Sequence, residues 1–201
     1  MRTTNTSDHA RRPATRPAAR QQGGRRGFTL VEILCVVVIL GIASAIIVPQ
    51  MGTRDDMRVA SAARTLIADL IYAQNQAISG GKMVYVKFDA TNNKYTLLST
   101  AKTGGDVAIS HPITQADYAQ PFGAASRGYE LITLESAIFH GLDAQYQNLT
   151  TVAFNELGVP YVYSYALNST NDMNTGSIVL KCGQFTKTIT IAAATGAVSV
   201  E

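Results

Sequence analysis

The sequence predicts an α+β protein in which a long N-terminal helix packs on an antiparallel β-sheet domain. Three observations support this fold class. A run of 21 residues with a single charge extends from Phe28 to Val48, apolar residues recur every three or four positions from Val59 to Ala77, and short alternating segments follow Gly80. The first half of the helix is predicted to be transmembrane and the second half amphipathic.

Residues 1–27 precede this helix. They are rich in Arg, Pro, Ala, Gly and Gln and lack apolar periodicity, so they are expected to be disordered. They hold seven of the 17 basic residues and one of the 14 acidic residues of the 201-residue chain, which leaves 10 basic and 13 acidic residues elsewhere, a net charge of −3. The arginines of this segment therefore account for the basic pI of the whole chain, near 8.9, and this pI is not evidence for nucleic-acid binding.

Residues 28–49 form the predicted transmembrane helix. At about 1.5 Å per residue, the apolar run would be about 31 Å long, the thickness of a bilayer's hydrocarbon core. The preceding arginines predict a cytoplasmic N-terminus and a C-terminal domain on the opposite side. Glu32 is the charged residue of the run, and a carboxylate in such a segment costs about 2.5 to 3.5 kcal/mol. It either reaches back to the headgroups or pairs with a cation from another chain.

The residues around Glu32 form a motif. Arg25 and Arg26 precede G-F-T-L-V-E at positions 27–32, and this segment resembles the type IV prepilin cleavage and N-methylation motif. The resemblance implies that a prepilin peptidase and methyltransferase cuts between Gly27 and Phe28, removes residues 1–27 as a leader, and methylates the new amine of Phe28. It also implies that Glu32 pairs with that amine on a neighbouring subunit during assembly. Pro49 matches the family's helix proline, which kinks or locally melts the helix.

Other interpretations of the apolar segment remain open. Residues 43–45, A-S-A, resemble a secretory signal-peptide site, in which case the mature protein would start near Ile46. Arg25-Arg26 would suit a twin-arginine signal. Cys35 would suit a lipoprotein, although the leucine before it is larger than the small residue that lipoprotein cleavage sites use. A plain single-pass anchor would explain the hydrophobicity but not Glu32 within the motif.

Residues 50–79 continue the helix in amphipathic form. Arg58, Arg64 and Asp69 fall outside the main apolar stripe, and Ser79-Gly80-Gly81 is a strong stop signal. This helix face is expected to pack on the apolar side of the sheet. The stripe consists of Val59, Ala63, Leu66, Leu70, Ala73 and Ala77.

Residues 80–201 are predicted to form the antiparallel β-rich periplasmic domain. Lys82–Asp89 and Lys94–Ser99 form a hairpin, and residues 100–127 form a long irregular excursion. The alternating tyrosines of Tyr161–Tyr165 line one strand face, either as packing or as a protein-contact patch. Further strands are expected over Tyr129–Phe139, Thr151–Asn155, Tyr161–Tyr165, Ser177–Cys182, Lys187–Ala192 and Ala197–Val200.

The C-terminal part carries a second resemblance. F-N-E-L-G at positions 154–158, a following strand and T-G-A-V at positions 195–198 resemble GspH/FimT-type pseudopilins. The resemblance implies a pilin-like fold and a non-enzymatic minor subunit of a type II secretion pseudopilus. Its implied partners are other pseudopilins in a helical filament, the inner-membrane assembly platform and membrane lipid. Two departures are the long leader and Ala197, where the family usually has Arg.

No catalytic, metal or cofactor site is predicted. Cys35 and Cys182 are too far apart in the chain to suggest a disulfide, and His140 with Cys182 lacks any local catalytic signature. Residues 172–176, D-M-N-T-G, faintly resemble a calcium loop, but a polar turn is the favoured interpretation.

Two other functions stay open: a FimT-like minor pilin that binds DNA, which needs a dense basic patch, and a soluble exported enzyme.

Overall fold

The computed structural model describes residues 27–100, 105–123 and 128–201, and for residues 45–53 it describes the backbone but not the side chains. Apart from Gly27, the predicted leader lies outside the described residues. The chain divides into two compact units, Met1–Ser44 and Ala45–Glu201. Each unit is described by itself.

One helix, α1, spans Leu30–Gly80 and contributes to both units. Its C-terminal end is closed by a glycine, because Gly81 has a φ of 54° and the N–H of Lys82 donates to the carbonyl of Ala77 at 3.3 Å. The stop signal that the sequence contains at residues 79–81 is therefore confirmed.

Among the described residues after the helix there are ten strands, whose pairings are antiparallel, and this confirms the predicted α+β class. The predicted hairpin is present, with Val84 opposite Ser99 and Asp89 opposite Lys94. The strands are β1 Val84–Asp89, β2 Lys94–Thr100, β3 Asp106–Ala108, β4 Ala119–Pro121, β5 Thr133–Gly141, β6 Thr151–Phe154, β7 Pro160–Ser164, β8 Ser169–Cys182, β9 Phe185–Ile191 and β10 Val198–Val200.

The strand β8 connects two parts of the sheet. The strand order is β10-β9-β8-β7-β6-β1-β2-β3, with β4 also paired to β2 and β5 also paired to β8. Residues 169–172 of β8 pair with β7, whereas residues further along pair with β5 on one side and β9 on the other. A single strand thus belongs to both parts of the sheet.

The core of the second unit lies between α1 and the sheet. Phe88, Tyr95, Phe139 and Phe154 on the strands are buried against the helix stripe that the sequence indicates. The alanines in the stripe lack long side chains, which lets the helix approach the sheet closely. The buried helix residues are Val59, Ala62, Ala63, Leu66, Leu70, Ala73 and Ala77.

Two predictions on the β domain need correction. Residues 172–176 do not form a turn but lie within β8. Met173 is buried, and Gly176 packs so closely on the Phe139 ring that an added Cβ would lie 2.8 Å from Phe139 Cδ1. The excursion over residues 100–127 is less irregular than predicted. Its described part holds β3 and β4, and it adds Tyr118 and Phe122 to the core.

Candidate functional site

The predicted cleavage site lies just outside the helix. Residues 27–29 are not helical, and α1 begins at Leu30. The Phe28 residue is 78% exposed, and nothing lies within 4 Å of the position that a Cβ on Gly27 would take. The Gly27–Phe28 peptide bond is therefore in a non-helical, accessible segment, which a protease can bind in extended form.

Glu32 closes a capping box at the start of α1. Its N–H donates to Thr29 Oγ1 at 3.2 Å, and the Thr29 N–H donates to Glu32 Oε2 at 3.5 Å. This reciprocal pair satisfies two of the N–H groups that have no partner at a helix N-terminus, and the carboxylate also faces the positive end of the helix dipole. The T-x-x-E spacing signals this cap in the sequence, and the sequence-based interpretation missed it.

The first unit exposes apolar side chains around the helix. Leu30, Val31, Leu34, Val37 and Ile39 are all more than half exposed, and they do not fall on one face. An apolar surface of this kind is typical of a helix that is covered by lipid or by other helices.

Among the residues that the structure describes, no helix is both long and apolar enough to cross a membrane.

Pro49 lies in the part of α1 whose side chains are not described. The proposed kink at this residue stays a prediction, as does the transmembrane segment at residues 28–49.

Gln74 on α1 holds together the two C-terminal motifs. Its Nε2 donates to the carbonyl oxygen of Gly158 at 2.7 Å and to that of Thr195 at 3.1 Å. Gly158 ends the F-N-E-L-G turn, and Gly196 follows Thr195 in the second turn, so the motifs meet at one helix side chain. We name Gln74, Gly158, Thr195 and Gly196 the glutamine latch.

The glycines of the latch are required by both conformation and space. Gly158 has a φ of 78° and Gly196 a φ of 69°. A Cβ on Gly196 would lie 2.7 Å from Gln74 Nε2 and 3.0 Å from the Gly158 carbonyl oxygen. The two glycines therefore allow the turns to approach the helix and each other.

We expect Gly196→Ala to lower the free energy of unfolding by about 3 kcal/mol. A left-handed conformation costs a non-glycine residue about 1 to 2 kcal/mol, and displacing Gln74 removes hydrogen bonds worth about 1 kcal/mol each. Urea unfolding followed by near-ultraviolet circular dichroism measures this. The matched control is Gly81→Ala, which has φ 54° but open space around it and should lose only about 1 kcal/mol. Equal losses in the two variants would contradict the packing role of the latch.

A partly buried carboxylate joins α1 to the sheet. Asp69 accepts hydrogen bonds from the hydroxyls of Tyr95 and Tyr118, the latter at 2.8 Å. Burial raises the pKa of the Asp69 carboxyl above its usual 3.8, although both hydrogen bonds and the charge of His111 act in the opposite direction. The sequence stripe places Asp69 outside the core face, so this role was not predicted. We name Asp69, Tyr95 and Tyr118 the carboxylate clamp.

The remaining candidate residues are not brought together. His140 pairs with Thr175 across β5 and β8, which places Cys182 seven residues, or about 23 Å, further along the strand. The Cys182 side chain is buried, and burial raises the pKa of its thiol. Within the described part of the chain, no group of three or more His, Cys, Asp or Glu residues could hold a metal ion.

Comparison with protein families gives two matches. The model of the prokaryotic N-terminal methylation motif matches residues 23–48, and that of the type II transport protein GspH matches residues 62–195. A curated relative, the type II secretion system core protein G of Pseudomonas aeruginosa, is 48% identical over 44 residues. That match covers 22% of this chain and 31% of the relative's length.

Two solved structures are similar to this one. The minor pseudopilin EpsH from the type 2 secretion system of Vibrio cholerae has a TM-score of 0.49 and 11% identity, covering 72% of this chain and 96% of its own. The type IV minor pilin FimU of Pseudomonas aeruginosa has a TM-score of 0.41 and 14% identity, covering 71% of this chain and 87% of its own.

An N-terminal methylation motif, a long helix and an antiparallel sheet packed on it define a pilin-like protein. The GspH match covers more than half of the residues. The chain belongs to the GspH family of type II transport proteins, as its two motifs predict. This is a family of structural pseudopilins.

Proposed function

We propose that this chain is a minor pseudopilin that is cut after Gly27, methylated at Phe28 and assembled into a type II secretion pseudopilus through its apolar N-terminal helix. Residues 28–49 anchor the precursor in the bacterial inner membrane, with the β domain in the periplasm. A prepilin peptidase, other pseudopilins, membrane lipid and an inner-membrane assembly platform are its partners. The subunit contributes structure rather than catalysis.

The observation that carries this proposal is the position of the Gly27–Phe28 bond. It lies one residue before Thr29, which caps the helix, so cleavage would release an amine without removing any helical residue. The methylation-motif match over residues 23–48 supports the same bond as the cleavage site.

The proposal also assigns the two roles of Glu32 to different stages. In the single chain its carboxylate is held by the capping box at the helix start. In the filament, the amine of Phe28 from a neighbour is the stronger partner, because a charged pair excluded from water attracts more strongly than a cap exposed to it. The pairing would set the axial register of subunits, since a charge left unpaired among apolar helices is heavily penalised.

Mass spectrometry of the protein isolated from cells tests the proposal. The mature chain is expected to begin at Phe28 with one added methyl group on its amine. A chain that keeps residues 1–27 would contradict the processing step. A chain that begins near Ile46 would instead support a cleaved signal peptide and a soluble exported protein.

A further inference from the structure

A short hairpin in the excursion between β3 and β4 ends in an exposed apolar tip. Ser110 and Asp117 pair in antiparallel fashion at its base, and the chain turns between them. Ile113 at the tip is 85% exposed, so the hairpin presents this side chain to its surroundings. We name residues 110–117 the tip hairpin. How firmly Ile113 is held in place depends on how the turn is closed.

The side chain of His111 closes the turn. Its Nδ1 accepts hydrogen bonds from the backbone N–H groups of Ile113, at 3.2 Å, and Thr114, at 3.3 Å. In many turns an Asn or Asp side chain accepts such bonds from N–H groups a few residues further on, and here an imidazole does so. A ring nitrogen accepts a hydrogen bond only when it carries no proton, so the neutral His111 ring must carry its proton on Nε2.

The turn is closed against a local conformational cost. Gln115 has a φ of 59°, which is unfavourable for a residue with a Cβ. Its backbone N–H donates to the His111 carbonyl at 2.9 Å, and its Nε2 donates to the Pro112 carbonyl at 3.2 Å. Within the described part of the chain, His111 Nδ1 is the acceptor of the Ile113 and Thr114 N–H groups, so loss of this acceptor leaves both without a partner.

His111 also packs against the carboxylate clamp. Its ring centroid lies 4.6 Å from that of Tyr118, and the Tyr118 ring stacks on Tyr72 of α1 at 5.4 Å. Asp69 is the charged group that acts on His111 from α1, β2 contributes the second tyrosine of the clamp, and Asp117 lies in the tip hairpin itself. Burial raises the pKa of the Asp69 carboxyl, and its attraction to His111 acts in the opposite direction. A protonated ring is therefore attracted by Asp69 while it loses its two donors in the turn.

We propose that His111 is a pH-dependent cap, which holds the tip hairpin closed while its ring is neutral and lets the turn open when the ring is protonated. A protonated imidazole has an N–H on both nitrogens, so Nδ1 would face two N–H donors and accept from neither. Histidine side chains change charge between about pH 5 and pH 8, which is the range of the switch. The closed turn presents Ile113 in one conformation, and the open turn does not.

The direction of the switch follows from proton linkage. The cap needs Nδ1 without a proton, so the closed turn binds that proton less tightly than the open turn does, and a falling pH favours opening. Asp69 has the opposite effect on the folded chain, because burial makes the folded state bind its proton more tightly. The device is separate from the N-terminal motif and does not depend on cleavage or filament assembly.

Nuclear magnetic resonance of the ¹⁵N-labelled full chain in detergent tests the switch. At about pH 8 we expect the ring ¹⁵N shifts of His111 to show the Nε2–H form and the amides of Ile113 and Thr114 to be rigid by their heteronuclear Overhauser effects. At about pH 5 the ratio of closed to open turn, measured from the shifts of these amides, should be at least about fivefold lower. This is the ratio that one hydrogen bond of about 1 kcal/mol gives.

Three variants separate the cap from other effects of pH. His111→Asn keeps a short acceptor that does not titrate, so its turn should stay closed at both pH values. His111→Phe keeps a ring beside Tyr118 without an acceptor, so its turn should be open at both. His140→Asn removes a histidine outside the tip hairpin and should leave the response unchanged.

Four results would overturn the proposal. They are an Nδ1–H form of His111 at the higher pH, an equal pH response in His111→Asn, a closed turn in His111→Phe, and a turn in the native chain that stays closed or becomes more rigid in acid.

Discussion

A Glu32→Gln variant is expected to be cleaved and methylated as the native chain is, yet to enter the filament at least about 100-fold less efficiently. Removing one partner of a buried charge pair costs about 3 to 5 kcal/mol, because the remaining charge stays unpaired. The measurement is the amount of the subunit that co-purifies with other pseudopilins, relative to the amount of processed protein in the membrane.

Because Glu32 is part of a capping box, substitution by glutamine tests its charge more specifically than substitution by alanine would. Glu and Gln both serve at the third position of a capping box, so Glu32→Gln keeps the cap and removes only the charge. The matched variant is Thr29→Ala, which removes the hydroxyl that accepts from the Glu32 N–H and keeps the charge. If Thr29→Ala fails to assemble while Glu32→Gln assembles normally, Glu32 acts as a helix cap and not as an assembly charge.

The Asp69→Ala variant is expected to lose about 3 kcal/mol of unfolding free energy. It leaves the hydroxyl of Tyr95, whose side chain is completely buried, without its acceptor, and it also removes the acceptor of Tyr118. An unsatisfied buried polar group costs about 1 to 3 kcal/mol. Urea unfolding followed by the near-ultraviolet circular dichroism of the tyrosines is the measurement.

Two controls separate the carboxylate clamp from a general effect of charge. Tyr118→Phe removes one donor, but the Asp69 carboxylate is only partly buried and keeps its hydrogen bond from Tyr95, so a loss of about 1 kcal/mol is expected. Asp117→Ala, next to Tyr118 but exposed, should be close to neutral. An Asp69→Ala variant as stable as Asp117→Ala would show that the clamp does not stabilise the fold.

The clamp also predicts how stability changes with pH. Since burial raises the pKa of Asp69 in the folded chain, the folded state binds this proton more tightly than the unfolded state does. The stability that Asp69 contributes is therefore fully present below pH 3.8 and declines as pH rises through the raised pKa. The difference in unfolding free energy between the native chain and Asp69→Asn should fall over this range. A difference that grows with pH would contradict the direction of the shift.

The sequence predicts those features that depend on local pattern. The apolar stripe from Val59 to Ala77 predicts which face of α1 is buried, and residues 79–81 predict where α1 ends. Both predictions depend only on the residues of one continuous segment. The Tyr161–Tyr165 alternation predicts tyrosines on one strand face, and Tyr161 and Tyr163 lie in one cluster, which the fold completes with Tyr85. The family motifs at residues 27–32 and 154–158 depend on residue identity, so they could be read without coordinates.

Features formed by distant residues could not be predicted in this way. Asp69 looks like a surface carboxylate on its helix, and only the fold brings Tyr95 and Tyr118 to it from 26 and 49 positions away. Gln74 likewise meets glycines 84 or more positions along the chain. Residues 172–176 have the composition of a turn, but hydrogen bonds from both neighbouring parts of the sheet override that local preference.

The double membership of β8 has a mechanical consequence for how the β domain transmits force. Residues 169–172 of β8 are hydrogen-bonded to β7 and residues 176–182 to β9, so the covalent backbone of β8 links the two pairings. Separation of the two parts therefore requires either a break in the β8 backbone or the loss of one of its sets of strand pairings. The two parts of the sheet are joined by a continuous strand and not by side-chain packing alone.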